Sequence, residues 1–185
     1  MAPPRDGSLR PSPALVTAAV LLLAACGGDV AGPLEEGRSR VTVSGAVSET
    51  LVAQARVADG RCILPDDRTS VPLHVVELWR TEESAGPVRN IHFRWLGGRP
   101  EPGDYRIDPN DCGFPEGSAF GEVQAVLPGP DTVSFEGTAG TLTVTASGTD
   151  RLEGSFRFTA AEVDRNGREV ESGRSLTVEG EFRAR

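Results

Sequence analysis

Leu152-Glu153-Gly154-Ser155-Phe156-Arg157-Phe158 alternates apolar with polar or small residues, and Leu176-Thr177-Val178-Glu179-Gly180-Glu181-Phe182 does so again. Period two over such lengths is the pattern of a strand with one face in a core. Between the two runs stands Asp164-Arg165-Asn166-Gly167, and Asn-Gly is the strongest short hairpin signal. A plain two-residue turn there would set Phe158 opposite Ser175 and Phe156 opposite Thr177, core against solvent. Opposed residues share a face, so the hydrophobic pattern rejects that register. One extra residue, best placed near Gly173, would pair Phe158 with Leu176, Phe156 with Val178 and Leu152 with Phe182. A three-residue loop, Gly148-Thr149-Asp150, would likewise pair Ala146 with Leu152 and Leu142 with Phe156. Three strands then form a meander with one apolar face.

The same alternation continues upstream. Val41, Val43 and Val47 are spaced by polar residues. Leu73 to Trp79 is nearly continuous and apolar. Ile91, Phe93 and Trp95 alternate with His92 and Arg94, Tyr105 and Ile107 bound a short piece, and Val123, Ala125 and Leu127 follow. Gly, Pro, Asn and Asp separate the runs. No window has convincing helical periodicity; Ala53 to Ala58 is the one stretch that could make a single helical turn. The expectation is one all-β domain over 40–185, an antiparallel β-barrel or β-sandwich of about eight or nine strands. The absence of a βαβ rhythm argues against a nucleotide-binding parallel sheet.

Ahead of the domain, Pro11 to Ala25 is free of charge and ends in Leu23-Ala24-Ala25-Cys26. It is shorter than the roughly 20 residues that cross a bilayer. Arg5 and Arg10 precede it, giving the layout of a secretory signal peptide. The end resembles the lipobox of bacterial lipoproteins. That resemblance implies a lipoprotein signal peptide over 1–25, removal at Cys26 and acylation of the Cys26 thiol and amine. Two or more acyl chains make a stable membrane anchor. An Asp directly after the cysteine commonly marks inner-membrane retention in that family. Here Gly27 follows, which leans towards the outer membrane of the cell envelope. The alternative is an ordinary secretory signal with a cysteine near the cut. Residues 26–39, rich in Gly and acid, read as a flexible lipidated tether with a reach of about 20 Å.

Gly140-Thr141-Leu142-Thr143-Val144, the Gly154-Ser155-Phe156-Arg157-Phe158 strand and the closing Gly180-Glu181-Phe182 together resemble the ending of uncharacterised bacterial envelope lipoproteins. The resemblance implies a small all-β domain and carries no activity with it. A lipocalin signature is missing, because neither Trp79 nor Trp95 follows an early Gly-x-Trp context.

The chain of 185 residues carries a formal charge of −8, and the part after Ala25 has 17 basic and 26 acidic side chains. That balance argues against nucleic acid and against docking on anionic lipid by charge. Every basic residue is Arg, so lysine chemistry is excluded. Beyond Cys26 only Cys62 and Cys112 remain. An even pair in an exported chain reads as a disulfide, which would stabilise by about 4 kcal/mol across a loop of this length. Two buried free thiols are the other reading.

Catalytic signals are sparse. His74 and His92 are the two histidines, and no Gly-x-Ser-x-Gly elbow occurs. His74 and Glu77, three apart on a strand, would face opposite sides. Asp104 to Asp111 is the best calcium candidate, yet an EF-hand register from Asp108 places Cys112 and Ala119 at ligand positions. Turn chemistry is the plainer reading, and an irregular loop site the other. The expectation is a non-enzymatic, lipid-anchored envelope module without cofactor or metal, structural or partner-binding. A small-ligand carrier, with a pocket in the barrel mouth or beside Trp79 and Trp95, is the alternative. A filled interior would favour the first, a hollow one the second.

Overall fold

The structure is a computed structural model and describes residues 32–63, 69–81, 85–109, 118–127, 132–164, 166–171 and 173–185. Residues 33–185 form one compact unit. Among the described residues there are nine strands in one sheet and no helix. They are β1 (Arg38–Gly45), β2 (Glu49–Ile63), β3 (Ser70–Trp79), β4 (Val88–Leu96), β5 (Gly103–Ile107), β6 (Ser118–Val126), β7 (Thr132–Ser147), β8 (Leu152–Val163) and β9 (Ser175–Ala184). The sheet closes into a barrel in the order β1-β2-β3-β4-β6-β5-β7-β8-β9, with β9 paired back to β1. Closure joins the two edge strands that a single open sheet would leave.

The inner face of the barrel is filled. Val41, Val43, Leu51, Val76, Leu78, Ile91, Phe93, Val123, Phe135, Leu142, Val144, Leu152, Leu176 and Val178 are buried on it. At its centre the Phe93 ring lies 4.8 Å from Phe156, 5.7 Å from Phe158 and 6.4 Å from Phe182. Aromatic rings at these separations gain offset or edge contacts beyond their area burial.

The C-terminal strands share the expected face but not the expected register. Phe158 pairs with Val178, Phe156 with Gly180 and Leu152 with Ala184, one inward pair further along than the pattern suggested. Ring packing decides this. A Cβ on Gly180 would come within 2.9 Å of Phe156 Cζ, and one on Gly154 within 3.0 Å of Phe182 Cζ. Each ring thus covers a glycine on the neighbouring strand, whereas the expected register would have stacked Phe156 on Val178 and Phe182 on Leu152. The insertion does fall at Gly173, but it is a whole turn rather than one residue. Asp164 N–H donates to Arg168 O at 2.8 Å, and Val170 N–H to Glu162 O at 3.0 Å. Gly173 N–H then turns back to Val170 O at 2.7 Å, and Glu162 N–H moves on to Arg174 O. In the β7–β8 hairpin Leu142 does meet Phe156, but a bulge between Val144 and Ala146 puts Ala146 beside Glu153 and lengthens the loop to 148–151.

Three other expectations shift. Ala53 to Ala58 is no helical turn; it lies inside β2, with Leu51, Ala53 and Ala55 buried in alternation. Val47 is buried beyond the end of β1, in the turn that follows Gly45. β1 starts at Arg38, two residues before position 40. The chain just ahead of it is already fastened, since Arg183 donates to Leu34 O at 2.8 Å and Gly37 N–H to Arg183 O at 2.7 Å.

At one mouth of the barrel ion pairs occupy inward positions. Arg80 meets Glu49, their side chains 6% and 11% exposed. Arg80 also donates to Val88 O and Ala85 O, and Glu49 accepts Val88 N–H at 3.1 Å. At the same end Arg174 donates to both Glu162 oxygens, at 2.8 and 2.9 Å. The Arg174 side chain, then its main-chain N–H, hold the Glu162 carboxyl down at about 2 from an ordinary 4.5. A depressed carboxylate stabilises the fold above its unfolded value and loses that contribution as pH falls through its folded one. Stability should therefore decline between about pH 4.5 and 2, and Glu162→Gln should flatten that stretch of a denaturation-against-pH curve. An unchanged slope in the variant would refute the assignment.

Candidate functional site: a polar row on the outer wall

From Asn90 onward the even-numbered positions of β4 point away from the core, as do those of β6, and the register lines them up. Arg56 on β2 lies opposite Glu77 on β3, Glu77 opposite His92 on β4, His92 opposite Glu122 on β6, and Glu122 opposite Glu136 on β7. Directly opposed side chains on one face have Cβ atoms about 4.5–5.5 Å apart, so this is one continuous row. Arg56 pairs with Glu77 and lies over the Trp79 ring at 5.0 Å. Arg94 donates to Glu122 at 2.8 Å and covers the Phe120 ring at 5.2 Å. Gln124 donates to the other Glu122 oxygen at 3.0 Å and accepts from Asn90 at 3.1 Å.

The flanking rings and amides leave His92 only 20% exposed and Glu122 14%. Burial pulls the His92 pKa below 6.5, more than Glu122, 4.0 Å away, pushes it up. His92 is thus a neutral imidazole at neutral pH, able to donate from one nitrogen and accept at the other. Beside the row opens a cleft of about 590 Å³, walled by Arg94, Phe120, Glu122, Glu136 and Asp164. The surface offers carboxylates, one imidazole and two stacked guanidiniums to a polar partner. Ser134 also borders the cleft but sits two strands from His92, roughly 10 Å at ordinary strand spacing and beyond hydrogen-bond reach.

The sequence-derived candidates fall at separate places. Cys26 and Cys112 lie outside the described residues, as does the segment 1–25. Cys62 is in β2, on the outer face yet only 3% exposed. His74 faces inward opposite Asp59, with Nδ1 2.6 Å from its carboxylate. Trp79 is on the outer wall, whereas Trp95 is an inner residue, 3% exposed, with its ring edge-on to Tyr105 at 6.0 Å. The two tryptophans therefore share no pocket. Asp104 accepts from Thr143 at 2.6 Å, and Asp108 from Arg106 at 2.5 Å. Asn110 and Asp111 lie outside the described residues. Among the described residues no group of three or more His, Cys, Asp or Glu side chains is arranged to hold a metal ion.

The polar row was not legible as a unit. His92 was legible as outward-facing, but its neighbours come from β2, β3, β6 and β7, and only the register joins them. No protein-family model, curated protein or solved structure matches the chain.

Proposed function

We propose that the chain is a non-catalytic, lipid-anchored module of the bacterial cell envelope, held on the outer membrane by Cys26 and acting through the wall of its barrel on a protein or structural partner. The observation that carries the non-carrier half of this reading is the filled interior, with Phe93, Phe156, Phe158 and Phe182 packed where a ligand carrier would be hollow. The anchored half rests on Leu23-Ala24-Ala25-Cys26 at the end of a short uncharged run. The mature protein should begin at an acylated Cys26 by intact mass and partition into detergent, and Cys26→Ser should shift it to the aqueous phase. A mature form that starts elsewhere and stays aqueous would end the anchored reading.

In that oxidising compartment Cys62 and Cys112 are joined. Cys62 supports this by being buried on the outer face, where the alternate residues Ala58 and Gly60 leave it half-covered or open. Non-reducing peptide mapping should yield one linked peptide pair. Two alkylatable thiols in the native, unreduced protein would rule the bond out.

A further inference from the structure

β2 is longer than the strand beside it. β1 pairs with it only as far as Arg38 opposite Gln54, while β3 follows its other side to Ser70 opposite Ile63. Ala55 N–H donates to Gly37 O and Val57 N–H to Arg185 O. Odd-numbered residues of β2 thus turn their main-chain groups to the β1 side. Past Val57 no described strand lies there, so Asp59, Arg61 and Ile63 present N–H and C=O along an open edge. All three are exposed, and Ile63, at 65%, is the more exposed of the two large apolar side chains open to solvent among the described residues.

We propose that this edge pairs with the same edge of a second copy of the chain, antiparallel and centred on Gly60. The order Asp59, Gly60, Arg61 is self-complementary under a two-fold axis at that point. Asp59 meets the partner's Arg61, and the relation repeats in reverse, while Val57 stays outside the pairing because its N–H is held by Arg185 O. Odd residues are the ones whose N–H and C=O point outward, so each Asp59–Arg61 pair falls at a hydrogen-bonded position and exchanges both main-chain bonds. Gly60 meets Gly60 at the close, non-hydrogen-bonded position. Sliding the strands by one pair sets Asp59 against Asp59 or Arg61 against Arg61, so charge selects the register. Inward charges usually keep an edge from pairing; here their order bars the two neighbouring registers. Both groups keep capacity to spare: Arg61 spends Nε and Nη2 on Ser70, leaving Nη1, and Asp59 holds His74 through one oxygen.

Sedimentation velocity of the purified protein in non-ionic detergent, over a concentration series, tests this. So short a pairing makes a small interface, so the wild type should form a reversible dimer at high micromolar concentration, weaker in salt. Asp59→Arg or Arg61→Asp alone places like charges opposite each other and should weaken association by about tenfold or more. The double reversal Asp59→Arg/Arg61→Asp recreates the complement and should restore it. Near-UV circular dichroism checks that each variant is folded. In the wild type, amide exchange at Asp59 and Arg61 should slow as concentration rises, a readout that needs no variant. A wild type that stays monomeric, exchange that ignores concentration, or a folded double reversal that fails to associate would each overturn the proposal and leave the edge to a different partner.

Discussion

Phe156→Ala is expected to destabilise the domain by about 3–5 kcal/mol, read from denaturant unfolding. The side chain is 4% exposed, with Phe93, Phe158 and Phe182 at ring distances of 4.8, 6.2 and 6.4 Å. Its loss would open a cavity between three large rings. The strand opposite cannot fill it, because the paired residue is Gly180, which has no side chain to move. The neighbouring Arg157→Ala is the control. Arg157 points outward, its side chain 77% exposed, with Glu179 at a loose 3.7 Å. Exposed pairs of this kind contribute little, so the change should stay below about 0.5 kcal/mol. Equal effects from the two substitutions would mean that the inward face of β8 is misassigned.

Arg80→Met should cost about as much, roughly 3–5 kcal/mol, for an electrostatic reason. It leaves the largely buried Glu49 carboxylate at the mouth of the barrel without its guanidinium. The Ala85 and Val88 carbonyls lose donors at the same time. The double variant Glu49→Leu/Arg80→Met removes both charges, and replacing a buried pair by apolar groups is often near neutral. It should recover most of the loss, short of the bond that Val88 N–H gives to Glu49. Arg80→Met costing less than about 1 kcal/mol, or a double variant no better than the single, would show that the mouth is wet and the pair solvated.

The sequence by itself determined the fold class and the faces. Period two in Ile91–Trp95, Val123–Leu127, Phe156–Phe158 and Leu176–Phe182 needs only side-chain geometry along one strand, and every one of those apolar residues is buried. The need for an insertion near Gly173 was legible too, because turn chemistry and hydrophobic pattern conflicted within one hairpin. β2 escaped notice because its inward residues include Ala53 and Ala55, small side chains with little strand preference, followed by Ala-Asp-Gly-Arg.

What only the tertiary structure decided is which strand meets which, and at what register. β6 stands between β4 and β5, and β1 closes on β9, contacts between residues far apart in the chain that no local pattern encodes. The β8–β9 register came out one pair further than the pattern alone suggested. Alternation fixes parity, but rings resting on Gly154 and Gly180 choose among registers of equal parity. The row from Arg56 to Glu136 and the open edge at Asp59–Ile63 exist for the same reason. Each is made by the offsets between neighbouring strands, and those offsets are set by packing across the barrel rather than by any one strand.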